Sequence, residues 1–347
     1  MKIVVVGDAF VDPLTLEKYA KNLKYEEPLD ITRIQWGSAD KKEFRQRAMN
    51  IELNGSTAEE YPKALDEAIK EADVLLTHFS PVPARLIEKA KRLKLIGTCR
   101  GGVEHIDLKA ADEREIPVVH CIRNAEPVAD FTLGLIYAET RNIARGNKDL
   151  KEGKWIKEFP NSKMTTTLKE QKVGLIGLGY IGKLVAKKLN GLGVEVWGYD
   201  PFVTEENLKD SGVDVKLKSI EEVFSQANIL SLHLRLSEKT EKLVNARLLE
   251  MMQENAYLIN TSRAGVVDKE ALYRVLKSKS IAGAAIDVFW EEPIQADDPY
   301  LKLENVTLTP HIAGDTVDAI PLSPRLLVEE INKYLEDGNR EMVVNLK

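Results

Sequence analysis

Short apolar runs rich in Val, Ile and Leu, with no polar alternation inside them, are separated along this chain by amphipathic stretches of helical period. A strand that is apolar on both sides needs cover on both sides, and helices crossing over between parallel strands supply it. The fold class is therefore α/β. The runs fall in two sets: residues 2–7, 73–78, 93–99 and 117–121, then 172–177, 194–200, 228–234, 256–261, 283–289 and 306–310. The six runs of the second set match the strand count of a complete dinucleotide-binding sheet.

The chain has 347 residues, beyond the roughly 250–300 at which a single core stops growing, so two domains are expected. A helical pattern over 127–145, with Pro127 early and Phe131, Leu135 and Ile136 towards one side, separates the two sets of strands. After the last strand a helix is expected over 322–336, closed by Gly338 at a position that favours glycine. That tail is too short to be a domain and should pack back on the first set. The expected architecture is two doubly wound, Rossmann- or flavodoxin-like parallel-sheet domains with a cleft between them. Residues 1–122 with 316–347 form a discontinuous substrate domain, and 123–315 an inserted dinucleotide domain.

A net charge of −6, with Lys and Glu intermixed, offers no basic stripe for nucleic acid. No run of about 18 apolar residues occurs, so no membrane-spanning helix is expected. The two cysteines, Cys99 and Cys121, lack the paired spacing of a zinc or redox site. Cys99 reads as a buried strand-end thiol rather than a nucleophile. No bound metal is expected. The first residues, "KIVVVG", read as a strand rather than an export signal, which points to the cytoplasm.

In "VGLIGLGYIG", Gly177, Gly179 and Gly182 form G-x-G-x-x-G after an apolar run and at a helix start. The first glycine permits the tight turn, the second lets the backbone approach a pyrophosphate, and the third lets the helix pack closely. Unpaired N–H groups at the helix N-terminus then face the diphosphate. The next run ends in Asp200, where a carboxylate accepts from the adenosine ribose hydroxyls. With Pro201 and Phe202 following, and no adjacent cation, that carboxylate would repel a ribose phosphate and so favours NAD over NADP. Tyr180, Ile181, Pro201 and Thr261 are further candidate cofactor contacts on the same strand ends.

Three polar residues stand at the ends of the last three runs, where an open α/β sheet binds ligands: Arg263, Glu292 and His311. An Arg can clamp a carboxylate through two parallel N–H bonds and polarise a neighbouring carbonyl. Hydride transfer to a keto acid requires a proton as well. A histidine suits that task, and a Glu beside it would orient the ring and stabilise the imidazolium.

The segments "GLIGLGYIG", "INTSRAGVVD", "AAIDVFWEEP" and "TPHIAG" together resemble the D-2-hydroxyacid dehydrogenases, particularly phosphoglycerate dehydrogenase-like members, in order from about Val118 onward. The resemblance implies an NAD-dependent oxidoreductase acting on a small D-2-hydroxy acid or 2-keto acid. Arg263 would bind and polarise substrate, Glu292 would partner the histidine, and His311 would be the acid/base. Asp287, Gly314 and Val128 would lie near the nicotinamide. Arg100, Gly101, Gly102 and Val103, in "CRGGVEHID", would receive the substrate carboxylate, on a loop two residues shorter than the common family pattern.

Other departures are Arg235 where many members carry Pro and Ala264 where Gly is common. No appended regulatory domain is expected. A formate dehydrogenase would carry Gln at the place of Glu292. The resemblance also implies a homodimer through helices such as 127–145, and leaves an NAD-sensing, corepressor-like binding protein as the alternative role.

Overall fold

The computed structural model describes residues 1–346, in two compact units. The first comprises Met1–Arg123 and Thr316–Lys347, the second Asn124–Asp315, so Arg123 falls with the first unit, one residue beyond the expected boundary.

In the first unit, strands β1 (Lys2–Gly7), β2 (Asp30–Gln35), β3 (Val74–Thr77), β4 (Leu95–Thr98) and β5 (Val118–His120) form a sheet in the order β2-β1-β3-β4-β5. Every pairing in it is parallel. Strand β1 is buried over Ile3–Gly7 because helices cover both faces. On one face Leu75, Ile96 and Val118 pack with Trp36, Phe44, Ile69 and Leu86. The other face is covered in part by the helix Ala319–Asp337, which packs on β4 and β5. A Cβ at Gly97 would stand only 3.0 Å from Ile331 Cδ1 and 3.3 Å from Leu327 Cδ2, so the glycine sets how closely that helix approaches.

This helix starts at Ala319, three residues before the position expected at 322, with Pro324 inside it. A proline removes one backbone donor. Ser323 Oγ supplies a replacement, donating to Ile320 O at 2.6 Å. Gly338, in the left-handed region at φ 64°, ends the helix.

Among the described residues three histidines are buried in this unit, His78, His105 and His120, and the first two are held neutral. His105 shares Nε2 with Thr98 Oγ1 at 2.9 Å, and its Nδ1 has no partner. Burial, reinforced by the positive charge of Arg100 and by His78, holds its pKa well below the ordinary imidazole range, and burial lowers that of His78 as well. As the pH falls below about 6.5 the unfolded chain therefore takes up protons that the folded one refuses, and stability is lost on the acid side. The thermal midpoint at pH 5.5 should lie below that at pH 7.5, by about 2–4 °C for each kcal/mol lost. Identical midpoints would show that these rings are protonated in the folded protein.

In the second unit, β6 (Lys172–Ile176), β7 (Glu195–Tyr199), β8 (Lys216–Leu217), β9 (Ile229–Leu232), β10 (Tyr257–Asn260), β11 (Gly283–Ile286) and β12 (Val306–Leu308) form a sheet in the order β12-β11-β10-β9-β6-β7-β8. All are parallel, and the two-residue β8 is an edge strand beyond the six expected. Strand order reverses between β6 and β9, which is where such sheets bind ligands.

The helix expected over 127–145 is two helices, Ala125–Thr140 and Ile143–Lys151. Asn142 breaks them apart at φ 57°, a conformation that Asn tolerates better than most side chains. No helix among the described residues is long and apolar enough to cross a membrane.

Candidate active site

At the switch point, β6 runs into a turn at Gly177, whose φ of +96° already excludes an ordinary side chain. A Cβ there would also meet His233 O at 2.6 Å. At Gly182 it would stand 2.2 Å from Gly177 O, so the helix Tyr180–Gly191 can press against the turn only through a glycine. Gly179 is different: nothing lies within 4 Å of its Cβ direction, and the helix that it opens has no side-chain cap. An open approach to uncapped helix N–H groups is the cradle a diphosphate needs, so the residues present fit a dinucleotide.

Asp200, just after β7, is tied into this turn. Its Oδ2 accepts from Leu178 N at 2.8 Å and its Oδ1 from Phe202 N at 2.9 Å. The carboxylate thus fixes the glycine turn as well as offering its remaining lone pairs. Tyr180 and Ile181 are half-buried on the first helical turn, and Pro201 is exposed. Thr132 Oγ1 donates to Val128 O at 2.7 Å, which uses its one proton, so Thr261 is the donor in the 2.9 Å contact between the two hydroxyls. This pair links the end of β10 to the helix carrying Val128. Gly314 faces Asn124, whose Nδ2 is 3.1 Å from its Cβ direction.

Beyond β10, the Asn260 side chain shapes the turn that presents Arg263. Its Oδ1 accepts from Ser262 N and Oγ, and its Nδ2 donates to Arg263 O. Arg263 is exposed and donates from Nη1 to Ser262 O at 2.7 Å. Glu292 receives His311 Nδ1 at 2.8 Å on Oε2 and 3.0 Å on Oε1, and also accepts from Phe289 N. Burial works to raise the Glu292 carboxyl, but the Phe289 N–H, the His311 ring and the charges of His311 and Arg263 outweigh it and hold it below the usual carboxylate range. With the carboxylate accepting, Nδ1 carries the proton, and no described residue takes Nε2. The ring therefore presents one free nitrogen for proton exchange.

His311 sits at φ +54°, a left-handed conformation costing a non-glycine residue roughly 1–2 kcal/mol. Asp287, fully buried just after β11, holds the segment there. Its Oδ1 accepts from Thr309 Oγ1 at 2.6 Å and Ile312 N at 3.0 Å, and its Oδ2 from Ala313 N at 2.9 Å. Of the candidate residues in this unit, the structure thus brings Arg263, Glu292 and His311 together, with Asp287 behind them.

In the first unit the loop after β4 carries Arg100, Gly101, Gly102 and Val103. Among the described residues no acceptor takes the N–H groups of Gly101, Gly102 or Val103. Gly101 O is held by His120 Nδ1 at 2.7 Å. Arg100 is less open than the sequence suggests. It lies 3.5 Å over the Phe79 ring and is paired with Glu52 at 2.7 Å and Glu104 at 3.8 Å.

Polar residues that sequence reading passed over stand at neighbouring strand ends: Asp8 after β1, His78 after β3 and Arg123 after β5. His78 Nδ1 lies 2.8 and 3.0 Å from the two Asp8 oxygens, and its Nε2 is 2.6 Å from Arg123 Nη1. Asp8 follows an apolar run directly, His78 closes one and Arg123 stands two residues after one, a signal that was present in the sequence.

A sheet switch point with a glycine turn and an uncapped helix start defines a dinucleotide-binding protein. Residues 133–313 match the NAD binding domain of D-isomer specific 2-hydroxyacid dehydrogenases, and the chain belongs to that family. It is 38% identical over 295 residues to a D-3-phosphoglycerate dehydrogenase of Methanocaldococcus jannaschii, covering 84% of this chain and 54% of that one. It is 36% identical over 300 residues to a hydroxypyruvate reductase of Thermotoga maritima, covering 85% of this chain and 95% of that one. The chain thus spans about half the length of the phosphoglycerate dehydrogenase and nearly all of the reductase. Among solved structures, a D-lactate dehydrogenase from Aquifex aeolicus complexed with NAD and lactic acid matches with a TM-score of 0.57 at 26% identity, covering 97% of each chain.

Proposed function

We propose that this protein is an NAD-dependent dehydrogenase that interconverts a small D-2-hydroxy acid and its 2-keto acid. The observation that carries the reading is the Glu292–His311 pair, with Nε2 free, beside Arg263 on the dinucleotide-binding unit. The nicotinamide, when bound, supplies or accepts the hydride. In the reductive direction, Arg263 and the open N–H groups of Gly101, Gly102 and Val103 bind the substrate carboxylate, with Arg100 bracing the loop through Glu52. His311 Nε2 delivers the proton to the carbonyl oxygen, and Glu292 keeps the ring in the tautomer that allows it. Gly177, Gly179, Gly182, Tyr180 and Ile181 hold the diphosphate, while Asp200 and Pro201 flank the adenosine ribose. Val128, Thr261, Asp287 and Gly314 line the nicotinamide end.

The same reading includes a homodimer in the cytoplasm. Exposed Ile143, Leu150 and Trp155 around the helix Ile143–Lys151 support a second copy covering that face, and two free, buried cysteines suit a reducing compartment. A sedimentation mass of one chain would remove the dimer.

The test of function is oxidation of NADH at neutral pH against hydroxypyruvate, its 3-phosphate, glyoxylate and pyruvate. Turnover on at least one is expected, with NADPH much the poorer donor because Asp200 repels its extra phosphate. NADH binding without turnover on any 2-keto acid overturns the reading.

A further inference from the structure

The two guanidiniums at the strand ends of the first unit are not equivalent. Arg100 is neutralised by two carboxylates and stacked on Phe79. Arg123 has no carboxylate partner among the described residues. Its Nη1 alone is engaged, by His78 Nε2 at 2.6 Å and Cys99 O at 3.5 Å. Arginine cannot accept a hydrogen bond, so His78 Nε2 must be the acceptor and Nδ1 must carry the proton donated to Asp8. A neutral imidazole thus stands between the buried Asp8 carboxylate and the guanidinium. It fixes one edge of Arg123 without cancelling its charge.

The Nε and Nη2 donors of Arg123 have no protein acceptor among the described residues. Together they form the side edge of the guanidinium, whose spacing matches two oxygens of one carboxylate or phosphate. Burial lowers the pKa of both guanidiniums, so a half-buried cation left without a counter-ion gains from an incoming anion. Cys99 O, which Arg123 touches, is one residue ahead of the loop whose N–H groups are open.

We propose that Arg123 is a specificity-determining residue: its Nε–Nη2 edge binds a second anionic group, carboxylate or phosphate, on a 2-keto acid substrate, and the Asp8–His78 dyad positions it. This rests on the dehydrogenase reading above, in which the first carboxylate is already provided for by Arg263 and the loop.

The test compares the full chain with Arg123→Gln and Arg123→Lys on acids carrying one charge-bearing group, glyoxylate and hydroxypyruvate, and on two carrying a second, 3-phosphohydroxypyruvate and 2-oxoglutarate. The parent should favour one of the latter two, and which one it favours separates phosphate from carboxylate. Arg123→Gln should lower kcat/KM for that acid by roughly 10- to 100-fold, mostly through KM, and change the singly charged acids by less than about 3-fold. Arg123→Lys should restore part of the loss. His78→Phe should move the same KM in the same direction while leaving NADH binding unchanged; should it not fold, the Arg123 variants decide alone.

Equal losses on both kinds of acid, or no parental preference for a second charge, overturn the proposal. If no keto acid is turned over, the dehydrogenase reading fails separately. Titration of the NADH-loaded protein with 3-phosphohydroxypyruvate and 2-oxoglutarate then decides: binding of either weakened by Arg123→Gln supports the anion site, and binding of both unchanged overturns it.

Discussion

His311→Gln is expected to lower turnover by about 100- to 10,000-fold while leaving NADH affinity within about 3-fold of the parent. Gln can keep a donor towards Glu292, but its amide cannot deliver or take the proton that the ring Nε2 moves. The loss should therefore fall on kcat rather than on either KM. Glu292→Gln tests the support: the ring loses its carboxylate acceptor at 2.8 Å and should suffer a smaller loss of the same kind. Stopped-flow measurement of NADH oxidation separates the hydride step from product release. Turnover unchanged in His311→Gln would remove His311 from the chemistry.

Asp287→Ala should have the largest effect on stability. Its carboxylate is fully buried and satisfies three donors, Thr309 Oγ1, Ile312 N and Ala313 N. Truncation leaves those donors without their acceptor at about 1–3 kcal/mol each where no water can replace it. It also releases the side chain that accepts from the backbone on the C-terminal side of His311, in the segment that keeps it at φ +54°. The expected outcome is a loss of roughly 3–5 kcal/mol, with turnover falling even at temperatures where the variant is folded. Chemical unfolding gives the first number and a kcat measurement well below the melting midpoint gives the second. A variant as stable and as active as the parent would mean that the left-handed turn holds itself.

The legible parts of this molecule were those with local signals. Unalternating apolar runs announced ten of the strands, and the glycine spacing announced the dinucleotide turn. Strand β2 escaped because "DITRIQ" buries only Ile34 while Asp30, Thr32, Arg33 and Gln35 face solvent, as an edge strand can afford. Strand β8 is two residues long and has no pattern to read. The break at Asn142 is a conformational choice of one residue inside an otherwise helical pattern.

At the site, Arg263, Glu292 and His311 could be picked out because each follows an apolar run. What Asp287 does was not readable, since its three donors lie 22, 25 and 26 residues further on and meet it only in the fold. Arg100 shows the opposite limit. Its position was legible, but Glu52, 48 residues earlier, reaches it from a helix whose placement no local pattern records.

The helix Ala319–Asp337 covers β4 and β5, although the rest of that sheet is made within the first 120 residues. On the ribosome, the early strands must wait for it. At chain-growth rates of about 5–20 residues per second, roughly 10–40 s pass before the cover for Gly97 and its neighbours is synthesised. The second unit, being continuous in sequence, meets no such delay and can be finished first. A chain cut off after residue 315 and released would have every residue of the dinucleotide unit, yet would leave the sheet of the first unit half-covered.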